Sequence, residues 1–157
     1  MNKTSNFRRI QNEIKLIGEQ ADEYSKMFRL KCVKDNIYHW KATIYGPEES
    51  LYEGYQFKLE IKLPADYPYS PISVKFVTPI QHVNINSNGD ICLDILKTSW
   101  TASQNIRSVM LSLLLLLSKP NIDDPFNSDL AELHRNDEKK YKKTIRDCCE
   151  KHAKKIE

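Results

Sequence analysis

The sequence is short of single-sign charge: 24 lysines and arginines stand against 21 aspartates and glutamates, a net charge of +3. Nucleic-acid binders carry a strong basic excess, so this balance argues for no nucleic-acid partner. Long apolar runs are missing too. The longest is Leu113–Leu117, against ~20 residues for a helix that spans a bilayer. The opening MNKTSNFRRIQ has no apolar stretch of the kind a secretion signal needs. No membrane partner is therefore expected. No C-x-x-C pair occurs among Cys32, Cys92, Cys148 and Cys149, which argues against a zinc site. Cys148 and Cys149 are adjacent and poorly placed to bridge each other. Reduced thiols in a cytoplasmic or nuclear compartment are the natural reading. Neither an internal repeat nor a Gly/Ser linker breaks the 157 residues, a length that suits one domain with a core of its own.

What the sequence does hold is periodicity. Phe7, Ile10, Ile14 and Ile17 recur at helical spacing, with Arg8, Arg9, Asn12 and Lys15 on other faces, so a first helix is predicted, weakened near Gly18. Four strands follow. Phe28, Leu30 and Cys32 alternate with polar residues, as do Tyr38, Trp40, Ala42 and Ile44. Tyr55, Phe57, Leu59, Ile61 and Leu63 alternate with Gln56, Lys58, Glu60 and Lys62, the period of a strand with one buried face. Ile72, Val74 and Phe76 give the fourth. The connections at Lys34–Asn36, Gly46-Pro47 and Pro64–Pro71 leave no room for a crossover helix, so an antiparallel meander is expected.

Residues 77 to 104 show little periodicity and carry turn chemistry at Asn86-Ser87-Asn88-Gly89. So long an irregular stretch inside a compact domain is usually functional. Helix returns near Asn105 with a stripe of Ile106, Val109, Met110, Leu113, Leu114 and Leu117, and Pro120 stops it. Asn127 or Ser128 caps a short helix carrying Leu130 and Leu133. A last helix from Asn136 or Asp137 puts Tyr141, Ile145, Cys148 and His152 on one face. Strands in one run and helices in another make the fold class α+β: an N-terminal helix, a four-stranded antiparallel meander, an irregular stretch, then C-terminal helices.

Cys92 lies in the least regular part of the chain, three residues after Gly89, with His82 and Asn84 shortly before it. A thiol, an imidazole and an amide so close in sequence suit a nucleophile with helpers. A lone cysteine also packs well as a small hydrophobe, and a loop histidine commonly braces backbone. Cys32, Cys148 and Cys149 sit on regular elements and read as structural.

Several spaced motifs, in one order, resemble a ubiquitin-conjugating enzyme. They are Tyr67-Pro68-Tyr69-Ser70-Pro71, His82-Val83-Asn84, Gly89-Asp90-Ile91-Cys92-Leu93-Asp94-Ile95-Leu96, Trp100, and Pro120-Asn121-Ile122-Asp123-Asp124-Pro125. The resemblance covers about residues 7 to 153 and includes Trp40 and Gly46-Pro47. It implies one catalytic core domain over residues 1–157 with short terminal extensions. It implies an acyltransferase, working as a monomer, in which Cys92 takes ubiquitin from an activating enzyme as a thioester. Ubiquitin then passes to a lysine of a substrate protein or to the cysteine of a ligase, of RING or HECT type. ATP is spent upstream, so neither cofactor nor metal is expected. Asn84 matches the family asparagine that either donates to the oxyanion or holds the loop. Asp124 matches the aspartate that orients or activates the incoming lysine, whose intrinsic pKa is ~10.4. Asp94 matches an acidic residue beside the acceptor path, and His82 a loop-bracing histidine.

Leu111 and Leu115 lie four apart, away from the main stripe and alongside Ser108. An exposed apolar pair suggests a partner surface, and in the family this helix face holds the donor ubiquitin. The other reading is that the C-terminal helices cover the pair. Arg8 and Arg9 match basic positions that meet the activating enzyme and ligases, and Tyr69, Ala102 and Ser103 fall on the two ligase loops. The chain departs from the family pattern at Val83, where proline is usual, at Thr101-Ala102-Ser103, at Gln81, and in extra residues around 18–26. A conjugating enzyme for another ubiquitin-like modifier and a catalytically weak ubiquitin-binding scaffold are the competing readings.

Overall fold

The computed structural model describes residues 3–157, with side chains from Asn6 onward. Helix α1 spans Lys3–Glu19 and is followed by a single turn, α2, at Ala21–Tyr24. The strands are β1 (Phe28–Val33), β2 (Asn36–Tyr45), β3 (Tyr55–Lys62) and β4 (Ser73–Phe76). A 3-10 turn at Asp94–Leu96 precedes α3 (Ile106–Ser118), α4 (Ser128–Asn136), α5 (Glu138–His152) and a two-residue β5 (Lys154–Lys155).

The sheet runs β1-β2-β3-β4 in chain order and every pairing is antiparallel. Alternation fixes the register: Trp40 faces Ile61, Ala42 faces Leu59 and Ile44 faces Phe57, so one face of the sheet is continuously apolar. A slip by one residue would turn all of these to water. The buried stripe of α3, which is Ile106, Val109, Met110, Leu113, Leu116 and Leu117, joins that face in one core. Asn105 starts α3 with a capping box: its side chain accepts from Ser108 N while Ser108 Oγ accepts from Asn105 N. Asn127 and Asp137 cap α4 and α5 with single bonds, their side chains accepting from Leu130 N and Lys140 N.

The α+β order and the meander agree with the sequence reading, and four details differ. α2 and β5 have no counterpart in it. Phe7 is exposed, whereas Asn6 and Glu13 are buried on α1, because that face meets polar groups. Glu13 accepts from the Tyr67 hydroxyl and from Ile106 N, so it ties α1 to the N-terminus of α3. On α3 Leu116 is buried and Leu114 only half so. On α5 the buried residues are Tyr141, Ile145 and Cys149 rather than Cys148 and His152. The α4 residue His134 stacks edge-on against Tyr141 and helps set which side of the helix is covered.

Candidate active site

The site begins with a turn. Asn86 Oδ1 accepts from Asn88 N and Asp90 N, an Asx turn that reverses the chain. Gly89 follows with φ +86°, and its carbonyl accepts from Phe76 N at 2.9 Å. The turn is thereby stitched to the end of β4. The returning chain pairs Ile85 with Ile91, and Cys92 N donates to Asn84 O at 2.8 Å. The backbone carrying Cys92 is thus held from both sides.

His82 and Asn84 are buried to 1% exposure each. Nδ1 of His82 accepts from Asn84 N at 2.9 Å, and Nε2 lies 2.8 Å from Leu116 O. A carbonyl can only accept, so Nε2 carries the proton and the ring is neutral. Both nitrogens are committed, which leaves no free lone pair for proton abstraction. Burial lowers the His82 pKa to about 4, against the raising effect of the Leu116 carbonyl. The folded state therefore resists a proton that the unfolded chain accepts near 6.5. Stability is full above that value, falls with pH through the window between them, and by pH ~4 has lost about 3 kcal/mol. Urea midpoints at about pH 7 and about pH 4.5 are expected to diverge less in His82→Gln than in the wild type; an equal divergence would overturn this.

Asn84 is equally committed. Its Nδ2 donates to Asn121 O at 2.8 Å and Asp124 O at 3.1 Å, and its Oδ1 accepts from Asn121 N at 2.8 Å. One side chain pins the whole 121–124 segment beside Cys92. Val83 is fully buried, and its carbonyl accepts from Phe126 N and Asn127 N. A valine in place of the family proline is therefore well anchored by packing and by the strap it receives.

Cys92 is half-exposed. Its Sγ stands 3.5 Å from Asp124 Oδ2 and 3.5 Å from Lys97 Nζ, so an anion and a cation flank the sulfur. Lys97 was not singled out in the sequence reading. The 3-10 turn at Asp94–Leu96 folds the chain back, with Lys97 N donating to Asp94 O, and this returns a residue five positions on to the cysteine. Asp94 itself is exposed on that turn. The remaining thiols differ. Burial pushes Cys149 up to about 12 and raises Cys148 and Cys32 as well. Among the described residues no cluster of three or more His, Cys, Asp or Glu is arranged to hold a metal, and no helix is long and apolar enough to cross a membrane.

The other candidate residues fall on two surfaces. Leu111 and Leu115 are exposed on α3, at 38% and 62%, so the C-terminal helices do not cover them. Ser108 beside them spends its hydroxyl on the helix cap and on Gln104 Oε1. On the second surface Arg8 is exposed and Tyr69 is 67% exposed. Arg9 turns inward: its guanidinium donates to Ala102 O and Gln104 O, pairs with Glu13 and lies over Tyr67. Trp100 Nε1 donates to Pro68 O at 2.8 Å, which joins the loop of Tyr69 to the loop of Ala102 and Ser103.

A family model described as "Ubiquitin-conjugating enzyme" matches residues 9–149. The chain is 55% identical over 152 residues to a protein of Acanthamoeba polyphaga mimivirus named "Probable ubiquitin-conjugating enzyme E2", covering 96% of each. It superposes with a TM-score of 0.87, at 37% identity and 96% coverage of each chain, on the crystal structure of a "putative ubiquitin conjugating enzyme" from Plasmodium yoelii. The chain belongs to the ubiquitin-conjugating enzyme family, a family of transferases whose partners are ubiquitin, an activating enzyme and a ligase.

Proposed function

We propose that Cys92 is the residue of this enzyme that carries ubiquitin. The observation that carries the reading is the half-exposed Cys92 Sγ with Lys97 Nζ and Asp124 Oδ2 each at 3.5 Å. The thiolate attacks the activating enzyme's thioester, forms a new thioester and expels that enzyme's cysteine as a thiolate. A lysine amine then attacks the same carbonyl, the Cys92 thiolate leaves, and the amine's surplus proton is taken up by a base. Asp124 is the base or orienting group at hand, and Asp94 an acidic residue beside the approach. Asn84 and His82 act as braces. Both amide hydrogens of Asn84 are already donated within the loop, which favours holding the 121–124 segment over direct donation to the oxyanion. Mixing the chain with ubiquitin, activating enzyme and ATP is expected to give one adduct on a non-reducing gel, lost in reductant and mapping to the Cys92 peptide. Loading on another cysteine would overturn the assignment.

We further propose that Leu111 and Leu115 pack the donor ubiquitin, with Ser108 contributing through the helix cap. Leu115→Asp is expected to leave loading unchanged and to slow ligase-stimulated discharge to lysine by about ten-fold, the scale of losing one well-packed apolar contact. Equal loss in both steps would sink the idea. Arg8, Tyr69 and Ser103 offer exposed contacts to the activating enzyme and to RING or HECT ligases, while Arg9 holds the Ala102 loop in the place that proline would otherwise stiffen. Working as a monomer in one domain, the enzyme needs a compartment that keeps thiols reduced, the cytoplasm or the nucleus.

A further inference from the structure

The inner face of the sheet is not covered evenly. Leu30 and Cys32 of β1 stand opposite Ala42 and Trp40, yet both are only half-buried. Ile14 and Ile17 of α1 line the same space and are half-buried too. Between helix and edge strand lies a cavity of about 560 Å³, with the buried Trp40 in its lining. The extra residues around 18–26 wall one side. Gly18, Gln20 and Ala21 border the cavity, and Tyr24 of α2 stacks on Phe28 at 5.2 Å. A Cβ on Gly18 would meet nothing within 4 Å, so that wall is loosely packed.

One cation belongs to the cavity. Arg107, half-buried in the first turn of α3, lines it, donates to Gln20 Oε1 and lies 5.9 Å over the Tyr24 ring. Among the described residues no carboxylate pairs with Arg107. Arg9 shows the contrast: it is half-buried as well, but it has Glu13 and two carbonyls. A guanidinium presents five N–H donors in a planar fork, and Gln20 occupies only part of it. Arg29 and Lys31 also border the cavity, but they are exposed, alternate with Leu30 and turn to the opposite face of the sheet. Asp22 adds a negative charge on the α2 side.

We propose that this cavity binds a small amphipathic carboxylic acid, its apolar body against Ile14, Ile17, Leu30 and Trp40 and its carboxylate on the Arg107 fork. The size falls within the ~300–1,000 Å³ of small-molecule sites, and apolar walls with a few placed polar groups are their usual make-up. A planar carboxylate accepts two parallel N–H bonds from a guanidinium. A phosphate dianion fits less well, because Arg107 is the one cation turned inward and Asp22 opposes a second negative charge. A neutral alcohol leaves the guanidinium without a counter-charge. Enclosure disfavours a protein segment, since α1, α2, β1 and the start of α3 each supply a wall. The ligand joins α1 to α3 beside the existing link from Glu13 to Ile106 N. No wall comes from residues 77–104, so an occupied cavity leaves Cys92 untouched.

The test titrates decanoate, kept below its micellar concentration, into the full chain and follows the indole N–H signals by NMR. Trp40 and Trp100 are the two tryptophans. Trp40 lines the cavity, whereas Trp100 is tied to Pro68 O outside it. Decanoate is expected to shift Trp40, to leave Trp100 in place, and to bind at least ~10-fold more tightly than 1-decanol. Arg107→Gln is expected to abolish that preference while changing the affinity for 1-decanol by less than ~2-fold. Gly18→Met, which fills open space with a good helix former, is expected to weaken both ligands by at least ~10-fold. An unmoved Trp100 signal and urea midpoint show that each variant is folded. No thioester is involved, so failure here is separate from any failure of the Cys92 assignment. No binding by the wild type, equal affinity for acid and alcohol, a preference that survives Arg107→Gln, or shifts centred on Trp100 would each overturn the proposal.

Discussion

Cys92→Ala is expected to leave no ubiquitin adduct that reductant removes, and Cys92→Ser to leave a slow one that reductant does not touch. The four thiols of the chain differ in nucleophilicity and reach. Thioester exchange needs a thiolate that a bulky partner can reach. Cys149 is 1% exposed and pushed up to about 12 by burial, so its thiolate is scarce at neutral pH and out of reach. Burial also raises Cys148, whose thiol points at Pro79 O. Cys32 is raised in the same way, and its thiol is turned toward the carbonyls of Val33 and Asn36. None of the three is expected to substitute for Cys92, and the loss of loading in Cys92→Ala is expected to exceed about 10³-fold. A serine hydroxyl at the same position is a far weaker nucleophile, but the oxygen ester it forms resists thiols. A reductant-sensitive adduct that persists in Cys92→Ala would show that another cysteine carries ubiquitin.

Much of this was legible before the structure. Strict alternation in Tyr55–Leu63 and in Tyr38–Ile44 fixes both the strands and their buried face, because a period of two allows only one register that hides all the apolar side chains. The run Leu113–Leu117 was not so readable. The spacing of Leu115 from Leu111 puts it off the stripe, as found, but five identical residues carry no polarity, so the sequence cannot say that Leu116 rather than Leu114 faces the core; the packing of α3 on the sheet decides it. Cys148 and Cys149 illustrate the same limit, since both extend the spacing from Tyr141 and Ile145 and neighbouring elements select between them. Motifs single out Cys92, Asn84 and Asp124 as candidates, and the structure brings them together with Lys97, which belongs to no motif. Its place beside the sulfur depends on a 3-10 turn that has no periodic signature. The inward turn of Arg9 was equally hidden. A basic residue on a helix reads as solvated until the carbonyls of Ala102 and Gln104, far along the chain, are brought to it.

Gly89→Ala is expected to be the most damaging single-methyl change near the site. Two independent effects meet there. The backbone has φ +86°, a region that costs an L-residue about 1–2 kcal/mol. A Cβ on Gly89 would also stand 2.1 Å from Phe76 O, a backbone atom on the last residue of β4 that cannot rotate away. Relief requires the turn to lift off the strand, breaking the Phe76 N to Gly89 O bond and loosening the bridge from Lys75 to Asp90. The total is expected to reach at least about 3 kcal/mol. Gly54 provides the control, because its φ is +89° while nothing lies within 4 Å of the added carbon. Gly54→Ala therefore carries the conformational strain without the collision, and its cost is expected to stay near 1 kcal/mol. Urea midpoints of the two variants separate the terms. The residual folded fraction of Gly89→Ala is expected to load ubiquitin slowly, since Cys92 hangs from the displaced turn. Equal midpoints would mean that the contact with Phe76 contributes nothing and that strain alone sets the need for glycine.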